Sequence, residues 1–173
     1  MSTWTTRLAD ARATHELGES LGRSAMPGSV VALVGDLGAG KTTLVTGMAS
    51  GLDIPCTERV RSPSYFLLNS YRGGRLLLDH FDAYFMERPA DLVENGFLDF
   101  LAAGHVIVIE WADRFADLLP EDHLELRLDF DGDGRRARLA AGGERSAIVL
   151  SLVAQHRGAW GGELDGNAAS FAP

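Results

Sequence analysis

Lysine is almost absent from this sequence: Lys41 is the only one among sixteen basic residues, and the other fifteen are arginine. A single cysteine, Cys56, excludes an internal disulfide and a cysteine-rich metal cluster, and it agrees with a reducing compartment. No apolar run approaches the length of a membrane span, and the N-terminal residues lack the apolar core of a signal peptide. We therefore expect a cytoplasmic protein that has no membrane partner.

Basic residues are also outnumbered, because 24 acidic side chains against 16 basic ones give a net charge of −8 at pH 7. Sequence-independent binding of nucleic acid requires a basic face that contacts phosphates. The charge thus argues against tight binding of nucleic acid by this chain alone. It leaves open a role beside nucleic acid through a partner protein.

The length of 173 residues suits one domain with a substantial core. We predict that residues 1–155 form this domain and that residues 156–173, rich in glycine and small side chains, are disordered. The apolar runs Val30–Val34 and Val106–Ile109 predict strands that are buried on both faces. Strands of this kind, mixed with helices, predict an α/β sheet covered on both sides.

Apolar periodicity and turn signals predict the remaining elements. The predicted helices run from the N-cap Asp10 to about Ala25, from Lys41 to about Leu52, over Pro89–Ala103 in spite of Gly96, and over Ser146–Val153. The predicted hairpins pair Tyr65–Tyr71 with Leu76–Asp79 and Leu124–Phe130 with Arg136–Ala140, and Thr3–Thr6 is a further short strand. Residues 53–63 are predicted to form a loop.

The surroundings of the lone lysine have the pattern of a phosphate-binding loop. Residues 35–42, GDLGAGKT, match G-x-x-x-x-G-K-[ST] at every fixed position and lie between a predicted buried strand and a predicted helix. The glycines let backbone N–H groups surround a phosphate chain at the positive end of the helix dipole. We expect Lys41 to contact the β- and γ-phosphate oxygens and Thr42 to offer its hydroxyl to Mg²⁺.

Acidic residues end two apolar runs that accompany this loop. Glu110 ends the run that begins at Val106, and an apolar strand ending in an acid is the usual partner of a P-loop. Such an acid faces Mg²⁺ or the attacking water. Asp79 and Asp82 end the other run, LLLDHFDAY; one of them could serve the metal while the other is solvated, and the residues alone leave this choice open.

Seven further residues each allow both a structural and a functional interpretation. These residues are Ser62, Ser64, His80, Trp111, Arg135, Arg136 and Arg138. The serines either sense a γ-phosphate, as switch loops do, or simply form a turn. The histidine is either a base or a packing residue, and the tryptophan either packs or docks a partner. The arginines contact solvent, a nucleotide or another protein.

Four motifs follow one another in a fixed order: GDLGAGKTTL at Gly35–Leu44, SPSY at Ser62–Tyr65, HFDAY at His80–Tyr84 and IEW at Ile109–Trp111. Together they resemble the bacterial TsaE (YjeE) family of P-loop ATPases, which take part in the threonylcarbamoyladenosine modification of tRNA. The segment ADLVENGFLDFL also resembles the family's helix with a central glycine. The resemblance extends over roughly Leu8–Val153.

The resemblance implies a P-loop NTPase-like three-layer sandwich with a mixed, largely parallel central sheet and antiparallel hairpins. It implies that the chain binds ATP and Mg²⁺, with Lys41, Asp82 and Glu110 as catalytic residues and Thr42 with Glu110 at the metal. The implied nucleotide-binding residues are Gly35, Gly38, Ala39, Gly40, Lys41, Thr42, Thr43, Ser62, Ser64 and Arg135. In this scheme the serines lie over the γ-phosphate and the arginine lies near the base.

Two positions depart from the family's pattern. Ser64 stands where the family often has threonine, and a hydroxyl is kept. Phe85 stands where the family often has arginine, so any charge at that position is lost or supplied elsewhere.

The resemblance also implies a partner-dependent mechanism. The ATPase docks on TsaB- and TsaD-like proteins, ATP hydrolysis resets that complex between turnovers, and tRNA is contacted only indirectly. A small-molecule or nucleoside kinase is the alternative, although the chain lacks an arginine-rich lid. A regulatory GTPase is excluded, since its N-K-x-D motif needs a second lysine. A nucleotide-binding adaptor without catalytic activity also remains as an alternative.

Overall fold

A computed structural model describes residues 2–55, 60–61, 68–86, 88–94, 96–156 and 162–163. Within these residues eight strands form one sheet: β1 Thr3–Leu8, β2 Val30–Val34, β3 Leu68–Tyr71, β4 Leu78–Asp82, β5 Val106–Glu110, β6 Leu124–Asp131, β7 Gly134–Ala141 and β8 Gly162–Glu163. The helices are α1 Ala11–Ser24, α2 Lys41–Gly51, α3 Pro89–Glu94, α4 Phe97–Ala102 and α5 Glu144–Gln155, and a 3₁₀ segment spans Ala112–Leu118.

The sheet has the strand order β3-β4-β5-β2-β6-β7-β1-β8. Its centre is parallel, because β4 pairs with β5, β5 with β2 and β2 with β6 in that sense. The flanks are antiparallel, through the β3–β4 and β6–β7 hairpins and the pairing of β1 with β7 and β8. The predicted fold class is confirmed. The carboxyl ends of the central strands meet at one edge, where α/β sheets usually bind ligands.

Helices cover both faces of this sheet because its central strands carry apolar side chains on both sides. In β2, Val31 and Leu33 pack against α1, α2 and α5, while Val30 and Ala32 pack against α4 and the 3₁₀ segment. All five residues of β2 are buried, as are all five of β4 and of β5. Burial on both faces explains why β2, VVALV, and the first four residues of β5, VIVI, show no polar alternation.

Helices α1 and α2 approach each other unusually closely through glycines. A Cβ added at Gly18 or Gly22 of α1 would lie within 2.2 Å of a backbone oxygen of α2. A Cβ added at Gly47 or Gly51 of α2 would lie 2.0 Å from a backbone oxygen of α1. The contact therefore depends on the missing side chains and fixes the helix that follows the phosphate-binding motif.

Most predicted elements are confirmed, including the Asp10 N-cap, whose side chain accepts a hydrogen bond of 2.8 Å from the Ala13 N–H. The single helix predicted over Pro89–Ala103 is wrong. Gly96, at the N-cap of α4, has a left-handed φ of 81°. Two short helices, α3 and α4, therefore take the place of the single predicted helix. The 3₁₀ segment was not predicted, because its short turns carry no 3.6-residue pattern.

Parts of the prediction stay open. Within residues 156–173, Gly162 and Glu163 pair with β1, and residues 157–161 and 164–173 lie outside the described part of the chain. The single domain over residues 1–155 and the disordered tail both stay predictions. Among the described residues, no helix combines the length and apolar character needed to cross a membrane.

Candidate functional site

The phosphate-binding motif forms the turn that links the carboxyl end of β2 to the start of α2. Gly38 and Gly40 adopt left-handed φ values of 79° and 106°, which side chains other than glycine disfavour. Helix α2 begins at Lys41, directly after Gly40. The local structure thus has the predicted strand–loop–helix form, with the N–H groups of a helix N-terminus at the loop.

The Lys41 side chain lies inside this loop. Its Nζ donates hydrogen bonds of 2.7 Å to the Gly35 carbonyl and 2.9 Å to the Asp36 carbonyl. The same ammonium lies 3.8 Å from the centre of the Trp111 ring. Trp111 reaches it because a left-handed φ of 62° turns the chain directly after β5. The ammonium is therefore held by oxygen acceptors and an aromatic face.

Lys41 is also almost entirely shielded from solvent, with 5% of its surface exposed. Burial lowers the pKa of its ammonium from the ordinary lysine value. The negative charges of Glu110, Asp82, Asp36 and Asp113 act in the opposite direction. A buried cation with several nearby carboxylates is typical of a functional site.

Glu110 connects this loop to the neighbouring strands. Its Oε1 accepts a hydrogen bond of 3.1 Å from the Thr42 hydroxyl and lies 3.0 Å from Nε2 of His80. Parallel pairing of β4 with β5 places Asp82 directly beside Glu110. Both carboxylates are buried, with 6% of Asp82 and 3% of Glu110 exposed. The two acids predicted from the ends of apolar runs thus lie together.

The structure separates Asp82 from Asp79. Asp79 is fully buried and accepts hydrogen bonds from Ser70 Oγ and from Nδ1 of His105, at 2.5 and 2.7 Å. The expectation that the second acid is solvated is therefore wrong. Asp79 lies near the start of β4, whereas Asp82 lies at its end, beside the loop. Of the two, Asp82 lines the pocket.

A pocket of about 530 Å³ opens above the loop, within the range of roughly 300–1,000 Å³ that is usual for small-molecule sites. Its lining residues come from the loop, the start of α2 and the ends of β4 and β5, and they are Leu37, Gly38, Gly40, Lys41, Thr42, Thr43, Asp82, Tyr84, Phe85, Glu110 and Trp111. The structure therefore brings most of the predicted site residues to one pocket.

Comparisons with known proteins identify the family of this chain. The model of the family described as "Threonylcarbamoyl adenosine biosynthesis protein TsaE" matches residues 8–138. The chain belongs to the TsaE family. A TsaE protein of Nostoc sp. is 40% identical over 134 residues, which cover 75% of this chain and 80% of the relative. The TsaE protein of Bacillus subtilis is 32% identical over 151 residues, 87% of this chain and 93% of the relative.

A solved structure supports the same relationship. The crystal structure of Bacillus subtilis YdiB superimposes with a TM-score of 0.77 at 28% sequence identity. The match covers 90% of this chain and 97% of that one. The resemblance to the TsaE family found in the motifs is thus confirmed.

Arg135 lies behind the loop formed by residues 35–42. Its guanidinium donates hydrogen bonds of 3.0 Å to the Ala39 carbonyl and 3.0 Å to the Gly38 carbonyl, and it lies over the Phe130 ring. These contacts connect the β6–β7 hairpin to the loop. A position near the nucleotide base stays a prediction, as do the roles of Ser62 and Ser64, which lie outside the described residues.

The aromatic wall of the pocket was not predicted as a unit. Tyr84 follows β4 and Trp111 follows β5, and their ring centres are 5.1 Å apart. Phe85 is 61% exposed, and its ring makes a T-shaped contact with the Tyr84 ring. These residues come from two segments, so only the pairing of β4 with β5 could have revealed the contact.

Proposed function

We propose that this chain is a Mg²⁺-dependent ATPase that acts as an accessory component of tRNA threonylcarbamoyladenosine biosynthesis. One observation carries the proposal: the P-loop ammonium of Lys41 and the Thr42–Glu110 hydrogen bond meet at one pocket. Membership of the TsaE family supports the pathway, because the family's description names that biosynthesis.

The residues at the pocket fit a magnesium nucleotide. Mg²⁺ prefers oxygen ligands and binds through one or two carboxylates, water and substrate phosphates. Thr42, Asp82 and Glu110 bring such oxygens to the pocket that Lys41 also lines. The Thr42 hydroxyl donates a hydrogen bond to Glu110, so the lone pairs of its oxygen can face a cation. When bound, the metal would neutralise negative charge on the phosphate oxygens.

Each protein group then has a defined task. The loop N–H groups and the Lys41 ammonium bind the β- and γ-phosphates and stabilise the charge that develops during phosphoryl transfer. The carboxylates of Asp82 and Glu110 orient the attacking water, and one of them accepts its proton as the oxygen joins the γ-phosphorus and ADP leaves. The aromatic wall of Tyr84 and Trp111 limits the access of other water molecules to the Lys41 side of the pocket.

The proposed partners are TsaB- and TsaD-like proteins, and tRNA is contacted only through them. The net charge of −8 supports this division, because direct binding of tRNA would favour a basic face. The proposed location is the cytoplasm, where tRNA is modified.

The test is ATP hydrolysis by the purified protein, alone and with TsaB- and TsaD-like partners. We expect slow turnover alone, faster turnover with partners, and a loss of at least roughly 100-fold in Lys41→Ala, because a charge-stabilising donor is removed. Arg12→Ala is the matched control, since it removes one exposed positive charge from α1. Unchanged turnover in Lys41→Ala would refute the proposal, and phosphoryl transfer to a nucleoside instead of water would favour the kinase alternative.

A further inference from the structure

His80 is a fully buried histidine that the proposed reaction does not yet use. It lies in the middle of β4, with none of its surface exposed, and its Nε2 is 3.0 Å from Oε1 of Glu110. It stands two residues before Asp82, so both side chains point to the same face of the sheet. A polar ring in such a place requires hydrogen bonds to offset the loss of water.

The second ring nitrogen identifies the tautomer. Among the described residues, Nδ1 of His80 has no hydrogen-bond partner. A proton on Nδ1 would leave a buried N–H group unpaired, whereas a proton on Nε2 is accepted by the Glu110 carboxylate. The neutral Nε2–H form is therefore the one that fits, and Nε2 donates to Glu110.

Glu110 thus receives two hydrogen bonds on one oxygen. The Thr42 hydroxyl and the His80 Nε2–H both donate to Oε1, from α2 and from β4. Neither bond occupies Oε2, and the Glu110 side chain lines the pocket. Two donors on one carboxylate oxygen hold the plane of the carboxylate and therefore the direction of the other oxygen.

We propose that His80 is a positioning residue that holds Glu110 so that its other oxygen, Oε2, faces the pocket. The effect on catalysis rests on the proposed ATPase function, but the hydrogen bond itself does not. Without His80, the carboxylate keeps one donor and rotates about it, and the ordered oxygen is lost. We expect binding of the triphosphate by the loop to be unaffected, because the Lys41 ammonium is held by the Gly35 and Asp36 carbonyls, whereas His80 is bonded to Glu110.

Two amide variants test this proposal. In His80→Gln the side-chain NH₂ reaches the place of Nε2 and can still donate to Glu110, whereas in His80→Asn it reaches only the place of Nδ1. We expect His80→Asn to lower kcat by roughly 10- to 100-fold, as loss of a partner of a metal-site ligand does. KM for ATP should stay close to that of the wild type, and His80→Gln should keep most of the wild-type kcat.

A purely structural role predicts a different outcome. Both variants place an amide in the same buried site, so thermal unfolding should change by a similar amount in each. Equal losses of kcat in His80→Gln and His80→Asn, or a change confined to stability, would overturn the positioning role.

A spectroscopic measurement separates this inference from the proposed function. Nitrogen-15 NMR of the histidine ring, without nucleotide, should show the proton on Nε2 of His80 and none on Nδ1, and Glu110→Ala should change this spectrum. A proton on Nδ1 would overturn the inference. Absence of ATP turnover in the wild type, together with a protonated Nε2, would refute the ATPase proposal and leave the hydrogen bond established.

Discussion

The Lys41 ammonium shows at the scale of one residue why this position is a lysine in an arginine-rich chain. Its three N–H donors meet two carbonyls of its own loop and one aromatic face within a small space. A planar guanidinium spreads its five donors over a wider fork and does not fit the same place. The Lys41 side chain also lines the pocket.

Glu110 carries the sharpest prediction at this scale. Glu110→Gln keeps the size of the side chain and an oxygen that accepts from Thr42 and His80, but it removes the charge. We expect kcat to fall by roughly 100-fold or more, the scale of losing a positioned acid–base group. Dependence of the residual activity on Mg²⁺ should weaken. Steady-state kinetics over a range of Mg²⁺ concentrations measures both effects.

The control for this variant is its unfolding. Glu110→Gln leaves few buried donors unpaired, so its melting temperature should stay near that of the wild type. A variant that unfolds readily but keeps the activity per folded molecule would show that Glu110 is structural. Glu110→Ala is a weaker test, because it leaves the Thr42 hydroxyl and the His80 N–H without an acceptor. Each unpaired buried donor lowers the free energy of unfolding by about 1–3 kcal/mol.

Single residues were predictable where a local pattern names them. Lys41 and Thr42 belong to a fixed spacing, and Glu110 ends an apolar run, so each could be found without coordinates. The His80–Glu110 contact depends on how β4 and β5 align, and no local pattern specifies that register. The hydrogen bonds of Arg135 to the loop also join distant parts of the sequence, because Ala39 is 96 positions and Gly38 is 97 positions away from it.

At the scale of elements, the packing of α1 on α2 determines how firmly α2 is held. Gly18 and Gly22 face α2, and Gly47 and Gly51 face α1, each pair four residues apart on one helical face. The two backbones therefore touch, with no side chains between them. Helix α2 begins at Lys41, so a shift of this helix moves the loop as well.

Gly47→Ala tests this contact. The new Cβ would lie 2.0 Å from the His15 carbonyl oxygen, so the helices must separate. Alanine favours helix by about 1 kcal/mol over glycine, but overpacking of this kind costs about 1–3 kcal/mol. We expect a lower free energy of unfolding in urea and weaker ATP binding.

The matched control lies on the same helix. Ser50→Ala changes a side chain on the exposed face of α2 and adds no atom at the contact with α1. It should unfold as the wild type does. Equal stability of Gly47→Ala and Ser50→Ala would show that the helices adjust without cost and that this contact does not fix the loop.

Elements were predicted well where their own sequence defines them. The Asp10 cap and the apolar face of α1 are local, and so is the turn between β6 and β7. The division of α3 from α4 was missed because a glycine inside an apolar pattern is compatible with either a continuous or a broken helix. The left-handed backbone at Gly96 decides between them only in the folded chain.

At the scale of the whole molecule, the site belongs to the edge where parallel strands end. The start of α2 supplies Lys41, and the last residues of β4 and β5 supply Asp82 and Glu110. The β6–β7 hairpin contacts the loop from behind through Arg135. The α/β class was predictable from buried apolar runs, but the strand order that brings these segments together was not. The pocket therefore exists only when the central sheet is formed.

Because the pocket requires the assembled sheet, the proposed binding of Mg²⁺–ATP there would stabilise the entire fold. At a ligand concentration of 100 times Kd, linkage gives about 2.7 kcal/mol. For a domain of this size, each kcal/mol raises Tm by roughly 2–4 °C. We therefore expect differential scanning fluorimetry to show a rise of roughly 5–11 °C at that concentration, growing with the logarithm of ligand concentration.

Two controls decide whether this rise comes from the P-loop. AMP lacks the β- and γ-phosphates that the loop and Lys41 would hold, so it should shift Tm far less than Mg²⁺–ATP. Lys41→Ala keeps the fold's other contacts but lacks the ammonium, so its response to Mg²⁺–ATP should largely vanish. An equal Tm shift with AMP, or an unchanged shift in Lys41→Ala, would mean that the nucleotide binds at a different surface. A triphosphate bound at the β2–α2 turn must lose affinity when its β- and γ-phosphates or the Lys41 ammonium are removed.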